Sequence, residues 1–424
     1  MVSILLFMGF TYLYFHTQDT LTIGIYSGSS WDVPGTDQYE IFQQAIEKFH
    51  EKYPNISVVY EEGIPADDYS EWLSSKILTG EVPDVFLVLQ EDFTNLSERN
   101  VLESLNSRIL KDDDFDSEVF YETCYSAGSQ GSIQYALPLR CNPTMMFVNK
   151  TLLKEEGIDM PEQDWTWSDF YKICSLVTKD TDGDGRLDQF GSYGYGWLDA
   201  VYSNGSQPFN GSSEESNFTS SNVMDAISFV KKLEALNENY QISSEDFDLG
   251  HVAFQPLTFA EYRTYMPYPW RIKKYSQFEW NCVAMPAGPS GGNQSSMDTL
   301  MVAMSSQSNC KNMAWEFMKI LTMDEENQYT AYKYSAGASV LKSVTSSDQV
   351  QEILNKDSQG DETERIDMTM IDQVIRQSVS PTYFKGYEDA LQYADNYIEN
   401  VIRTDEEMNL SMFELEQNLK HLLE

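Results

Sequence analysis

Between Leu21 and Gln90 the chain repeats a pattern that leaves few folds open: strand, helix, strand, helix, strand. In TLTIGIYSG, Leu21, Ile23 and Ile25 alternate as on a strand, and QYEIFQQAIEKFHEKYP then spaces Ile41, Phe42, Ala45, Ile46 and Phe49 along one helical face that stops before Pro54. NISVVYEE reads as a second strand, DDYSEWLSSKILTG as a helix closed by Gly80, and PDVFLVLQ as an apolar run of the kind buried on both faces. That order predicts a parallel sheet with right-handed crossovers. Ligands of open α/β sheets sit beyond the carboxyl ends of the strands. Here those ends carry SGSSWD, with Ser27, Ser29, Trp31 and Asp32, and QEDF, with Gln90, Glu91 and Asp92. Hydroxyl, carboxylate, amide and aromatic groups together suit a polyhydroxylated ligand. A plain serine turn with Trp31 in the core is the competing reading.

At 424 residues the chain is too large for one simple core and is expected to form two lobes. Its 67 acidic and 28 basic residues leave a net charge of -39, which argues against nucleic acid, since phosphate binding needs clustered Lys and Arg. A solvated acidic surface accounts for most of those carboxylates. Residues Val2 to Phe15 form an apolar run with no Lys or Arg before Lys48. Residues 1–17 are therefore expected to be a signal or membrane anchor, short of the roughly 30 Å hydrocarbon core and missing its basic flank. The five cysteines, Cys124, Cys141, Cys174, Cys282 and Cys310, show no zinc-ligand spacing, and an odd number leaves at least one thiol unpaired. The four histidines fall in no nucleophilic triad signature.

The run KDTDGDGRLDQFG places Asp180, Asp182, Asp184 and Asp188 at positions one, three, five and nine of an EF-hand-type loop, with Gly185 at the sharp turn and the Arg186 carbonyl at position seven. Position twelve, where such a loop has a bidentate Glu, is Gly191. The residues thus predict a weak structural Ca2+ site at Asp180, Asp182, Asp184, Arg186 and Asp188, or else a solvated acidic turn. No other cofactor is expected.

Several blocks in order, FHEKYPNISVVY, TGEVPDVFLV, PLRCNPTMMFVNKTLLKEEGI, WTWSDFYKICSLVTKDTDGDGRLDQFGSYGYG, GHVAF, VAMPAGPSGG and NMAWEFMKILT, give the chain its resemblance to bacterial extracellular solute-binding proteins of ABC importers, the carbohydrate-binding, maltose-binding-protein-like family. The resemblance runs from about Thr20 to the C-terminus. It implies an α/β, two-lobed periplasmic-binding-protein-like fold, each lobe a mostly parallel sheet flanked by helices, with ligand in the cleft. The N-lobe would comprise 20–137 plus 297–334 and the C-lobe 138–296 plus 335–424, with crossings near Pro138, Met297 and Ser335. It also implies a non-enzymatic monomer that is exported, held at the extracellular face of the membrane, and hands a carbohydrate to permease subunits by lobe closure.

Carried over residue by residue, the resemblance places first-lobe ligand contacts at Ser29, Trp31 and Asp84, with Gln90 or Glu91 beside them. Second-lobe contacts would come from Arg140, Asn142, Tyr195, Trp197, Phe259, Glu261 and Trp270. Met297 and Asp298 stand where the family often has glycines and add to the expected cleft floor. A pyranose has an apolar face for aromatic rings and a hydroxyl rim for carboxylates, amides and guanidinium groups, which agrees with this set. Two alternatives stay open: a binding protein for a cationic peptide or polyamine, given the acidic balance, and a glycoside hydrolase, since paired carboxylates arise easily among 67. The segment Ser203 to Ser221 reads as an exposed insertion, and the apolar spacing after Lys385 as closing helices of the second lobe.

Overall fold

The computed structural model describes residues 19–31, 39–209, 216–238, 240–265, 278–334, 336–357, 367–381, 383–404 and 406–423. The expected anchor 1–17, Trp270 and the crossing at Ser335 lie outside them. The opening alternation becomes β1 (Asp19–Gly24), paired in parallel with β2 (Ile56–Tyr60) and β3 (Val85–Val88), so that Leu21 is level with Val58 and Ile23 with Val85. All four residues of β3 are buried, as an apolar run covered on both faces requires. The first crossover helix, Tyr39–Lys52, turns Ile41, Phe42, Ala45 and Phe49 inward, and Phe49 meets Phe317 edge-on at 5.6 Å. The second, Tyr69–Thr79, is stopped by Gly80 at φ 73°, whose N–H donates to the Ile77 carbonyl.

The remaining strands are β4 (Ser129–Gln130), β5 (Ile133–Gln134), β6 (Ala136–Asn149), β7 (Phe190–Ser192), β8 (Val252–Thr258), β9 (Trp280–Val283), β10 (Met297–Met304) and β11 (Ala338–Ser339). The chain divides into two compact units. The first takes the described residues to Val119, then Gly128–Leu139 and Leu300–Ser335; the second takes Phe120–Ala127, Arg140–Thr299 and Ala336–Glu424. The strands β6 and β10 carry the chain from one unit to the other, at Leu139–Arg140 and Thr299–Leu300.

In the first unit β10 runs antiparallel to β3, with Met301 opposite Val88, against the parallel trio β1, β2 and β3. In the second, β7 and β8 are parallel, and β6 runs against β8 and β9, with Thr144 opposite Thr258 and Met146 opposite Val283. One short segment departs from the expected run 20–137. Phe120–Ala127 belongs to the second unit because Phe120 bridges Leu341, the Tyr121 hydroxyl donates to Asp372 at 2.6 Å, and the Thr123 hydroxyl reaches the Ser378 carbonyl at 3.3 Å.

The second unit's core is aromatic. Trp165, Trp167, Phe170, Tyr195, Trp197 and Phe254 are buried together with the inward faces of three helices, Ser221–Glu234, Tyr387–Arg403 and Met408–Leu423. Ala390, Ala394, Ile398 and Val401 form the helical stripe that the C-terminal spacing predicts. Of the expected exposed insertion Ser203 to Ser221, residues 210–215 lie outside the described residues, and the described ends correct the expectation of exposure. Ser203 and Asn204 are fully buried, Asn204 donates to the Asn222 carbonyl and accepts from the Ser290 N–H, and Phe209 packs edge-on against a buried Phe218. Among the described residues no helix is long and apolar enough to cross a membrane.

Candidate functional site

The first unit keeps the loop after β1 partly open. Ser27 donates through its N–H and its hydroxyl to the Ile64 carbonyl, at 2.7 and 3.0 Å, and its own carbonyl accepts the Ala66 N–H, so the start of the loop is pinned to the neighbouring chain. Gly28, at φ 89° with open space around its Cα, lets the chain turn away from the sheet there. Beyond it Ser29, Ser30 and Trp31 are half-buried; the Ser29 hydroxyl accepts the Trp31 N–H at 3.2 Å, and the Tyr26 hydroxyl donates to Ser30 at 3.0 Å. Trp31 is therefore half-buried and not enclosed in the core.

At the end of β3, Gln90 starts the helix Gln90–Glu98 and is 6% exposed, whereas Glu91 is exposed in the first turn. Asp92 accepts the Ser70 hydroxyl at 2.5 Å; desolvation pushes its carboxyl above the usual carboxylate range, against the pull of that hydrogen bond.

Asp84 is a correction. It precedes β3, at the amino end of the strand. Its Oδ2 accepts both the N–H and the hydroxyl of Thr22, at 2.9 and 2.7 Å, and its Oδ1 accepts the Ser308 hydroxyl at 2.6 Å. With the Asp84 N–H returning to the Thr22 hydroxyl at 2.9 Å, this carboxylate braces the parallel pair and is not offered to a ligand.

In the second unit most of the expected contacts are structural. Tyr195 and Trp197 are 3% and 4% exposed. The Tyr195 hydroxyl accepts from the Trp167 indole at 2.9 Å and lies 3.1 Å from the Ser203 hydroxyl, while Phe170 packs edge-on at 5.0 Å; burial raises the phenol far above its ordinary pKa. The Trp197 indole donates to Asp395 at 2.8 Å. Both rings are core, so they are removed from the contact set. A ring at the carboxyl end of β7 remains half-buried: Tyr193, whose N–H donates to the Phe254 carbonyl of β8. Sequence reasoning missed it. In SYGYGW the two tyrosines have the same parity, and only the position of the strand end separates them.

Phe259 is fully buried, and Glu261 caps its own helix, Phe259–Tyr265, its Oε2 accepting the Thr258 N–H at 2.7 Å and the Thr258 hydroxyl at 2.9 Å. The Asn142 Oδ1 accepts the Ala260 N–H at 2.8 Å, which ties that helix to β6. Arg140 is 1% exposed and Met297 fully buried, with the Met297 N–H on the Val379 carbonyl at 2.9 Å. Asp298 is half-buried and accepts the Thr299 N–H at 3.0 Å. Among the described residues of this set, only Glu261 and Asp298 are partly open.

The acidic loop is closed at its base by Lys179 and Gln189, which exchange N–H···O bonds of 3.1 and 3.2 Å. Inside it each carboxylate accepts a neighbouring donor. Asp180 accepts Gly183 at 2.6 Å and Gly185 at 2.7 Å, Asp182 accepts the Asp184 N–H, Asp184 accepts the Arg186 N–H, and Asp188 accepts both donors of Thr181. The backbone N–H of Gly185, then that of Gly183, lowers the Asp180 pKa. Oxygens of Asp180, Asp182 and Asp188 lie within 4.8 Å of one another; Asp184 stands outside that group, and Arg186 is exposed. The glycine at position twelve also has a cause. Gly191 is buried in β7, and a Cβ there would lie 2.4 Å from the Cys174 Cβ, so packing excludes the glutamate of a full calcium loop.

A family model for bacterial extracellular solute-binding proteins matches residues 33–328. Among solved structures, the sugar-binding protein MalE from Xanthomonas citri is 15% identical with a TM-score of 0.76, the match covering 95% of this chain and 97% of that one. An ABC substrate-binding protein from Listeria monocytogenes in complex with cycloalternan is 18% identical with a TM-score of 0.68, covering 96% and 99%. The cyclic alpha-maltosyl-1,6-maltose binding protein from Arthrobacter globiformis is 13% identical with a TM-score of 0.75, covering 95% and 98%. At these identities the likeness speaks for the fold, which these chains share over nearly their whole length. The family match spans well over half of the sequence, and on that span the chain belongs to the bacterial extracellular solute-binding protein family.

Proposed function

We propose that this chain is the substrate-binding component of an ABC importer, that it captures an oligosaccharide outside the cell, and that it passes the sugar to the permease subunits through a closing motion of its two units. The family match over residues 33–328 carries the reading. The sugars bound by the Listeria and Arthrobacter proteins support the ligand class, as does the group at the first unit's strand ends, half-buried Ser29 and Trp31 with exposed Glu91. In the second unit Tyr193, Glu261 and Asp298 are the proposed contacts. The chain works as an exported monomer held at the outer face of the membrane by residues 1–17. It binds its ligand without transforming it. The acidic loop holds a structural Ca2+ through Asp180, Asp182 and Asp188.

Intrinsic tryptophan fluorescence and thermal shift against a panel of α- and β-linked oligosaccharides test this, with a polyamine and a basic peptide in parallel. Stabilisation that grows with glycan concentration is expected, because a ligand that binds only the folded state adds its binding free energy to stability. No shift with any glycan beside a clear shift with the polyamine would overturn the reading. Shortened glycan in the same tubes would assign the chain to the hydrolases instead.

A further inference from the structure

Two thiols outside the ligand set lie beside each other. Cys124 lies on the short helix Glu122–Ala127 and Cys141 on β6, just past the point where that strand enters the second unit. Both are fully buried, and all five cysteines are free thiols in the structure. The backbone brings this pair together. The strand β11 lies against β6, with Ala338 opposite Cys141; the chain then continues through Val340, whose carbonyl accepts the Tyr121 N–H at 3.1 Å, to Leu341, which bridges Phe120. Three residues after Tyr121, the Cys124 side chain comes into hydrogen-bond contact with Cys141, whose Sγ lies 3.7 Å from the Ser339 carbonyl oxygen and 3.9 Å from that of Ala338.

We propose that Cys124 and Cys141 are joined as a disulfide in the exported protein, and that this bond staples the Phe120–Ala127 segment to the second unit. The segment needs such a tie more than its neighbours do: the chain on either side of it belongs to the first unit. Extracellular proteins fold where disulfides form and persist. The oxidant is a low-molecular-weight disulfide. A Cys124 or Cys141 thiolate attacks it, one small thiolate leaves, the second protein thiolate displaces the other, and the two protons given up by the protein thiols end on the two small thiols; one S–S bond forms as one breaks. The reaction belongs to the folding chain. Once the pair is buried, desolvation raises the Cys141 thiol well above its ordinary pKa, and the thiolate that exchange requires is scarcely formed. The closed loop constrains the unfolded chain, so the oxidised protein melts higher than the reduced one.

The experiment refolds the full chain in oxidised glutathione and, separately, in excess reductant, blocks free thiols in denaturant with an alkylating agent, and maps the unreduced peptides by mass. The expected oxidised product has two fewer blocked cysteines than the reduced one, a single linked peptide carrying Cys124 and Cys141, and a higher melting temperature. Cys124→Ala should abolish both the linked peptide and the redox dependence of melting. Five blocked thiols after oxidative refolding, or a linkage involving Cys174, Cys282 or Cys310, would overturn the proposal. The wild-type peptide map decides the matter even if the variant folds poorly.

Discussion

Trp31 and Trp197 each follow the carboxyl end of a strand within a few residues, and from the sequence they have equal claims to a ligand. The structure separates them. Trp31 sits half-buried on a serine loop that Gly28 swings away from the sheet, whereas Trp197 begins the helix Trp197–Ser203 and is enclosed, with its indole on Asp395. What differs is the cover available. The first unit leaves the loop after β1 half-buried, while the second packs the C-terminal helices and the anchored stretch after Ser203 into the core that holds Trp197. An aromatic residue at a strand end is therefore a contact only where nothing later in the chain returns to bury it.

The largest consequence falls on the buried ring. Trp197→Ala should lower unfolding free energy by about 3–5 kcal/mol, the cost of emptying a large aromatic site in a packed core, read as the denaturation midpoint in urea. Trp31→Ala reverses the pattern. It should cost about 1 kcal/mol at the midpoint, well below the loss at the buried ring, as a half-buried position does, and weaken glycan binding ten- to a hundredfold, roughly 1.4–2.7 kcal/mol, by calorimetry. A Trp197→Ala protein of unchanged stability that no longer bound glycan would break the contrast, and so would a Trp31→Ala protein that unfolded early.

How far the sequence carries depends on range. The strand and helix order of the first unit was legible because period-two and period-3.6 spacings, Gly80 and Pro54 are local signals. The family blocks carried the fold of the remainder. Which rings of the second unit stay open was not legible, since burial of Tyr195 and Trp197 is decided by residues such as Asp395, Phe218 and the stripe from Ala390 to Val401, the last about 200 positions downstream. Asp84 misled for a related reason: its partners Thr22 and Ser308 lie far off in sequence, and without them a carboxylate before a strand looks free. The absent glutamate at Gly191 could be seen; that Cys174 forbids it could not.

The contrast sharpens at the carboxylate beside Trp197. Asp199 accepts the Gly196 N–H at 3.1 Å, but desolvation outweighs that bond and pushes its pKa up to about 6. Because the folded value lies above the ordinary one near 3.8, the folded chain holds this proton more tightly than the unfolded chain between the two. The associated stability is fully present below pH 3.8 and is lost as pH rises through 6. Asp199→Asn keeps an acceptor for Gly196 and removes the titration. The difference between variant and wild type, from urea midpoints at steps from about pH 4 to 8, should grow with pH in the variant's favour to about 1–2 kcal/mol. A flat difference would mean that water reaches this carboxylate, and that the enclosure around Trp197 is looser than its burial implies.

The smallest effect concerns the acidic loop, where the second unit is open. Three carboxylates can converge on one cation there, but a glutamate at position twelve is sterically excluded, so the site has fewer ligands than a sensor loop. Calcium at about ten times its dissociation constant should then raise unfolding free energy by about 1.4 kcal/mol relative to chelator, measured by thermal denaturation. The loop leads from the helix Trp167–Val177 into β7, and beyond it to Tyr193, so a cation there steadies the backbone under a proposed contact without reaching the ligand. Asp182→Asn should abolish the calcium-dependent increment and leave glycan affinity in excess calcium within about twofold. If the variant instead lost glycan binding at unchanged stability, the loop would act in recognition, and the open edge of the second unit would extend past Tyr193 to the acidic turn itself.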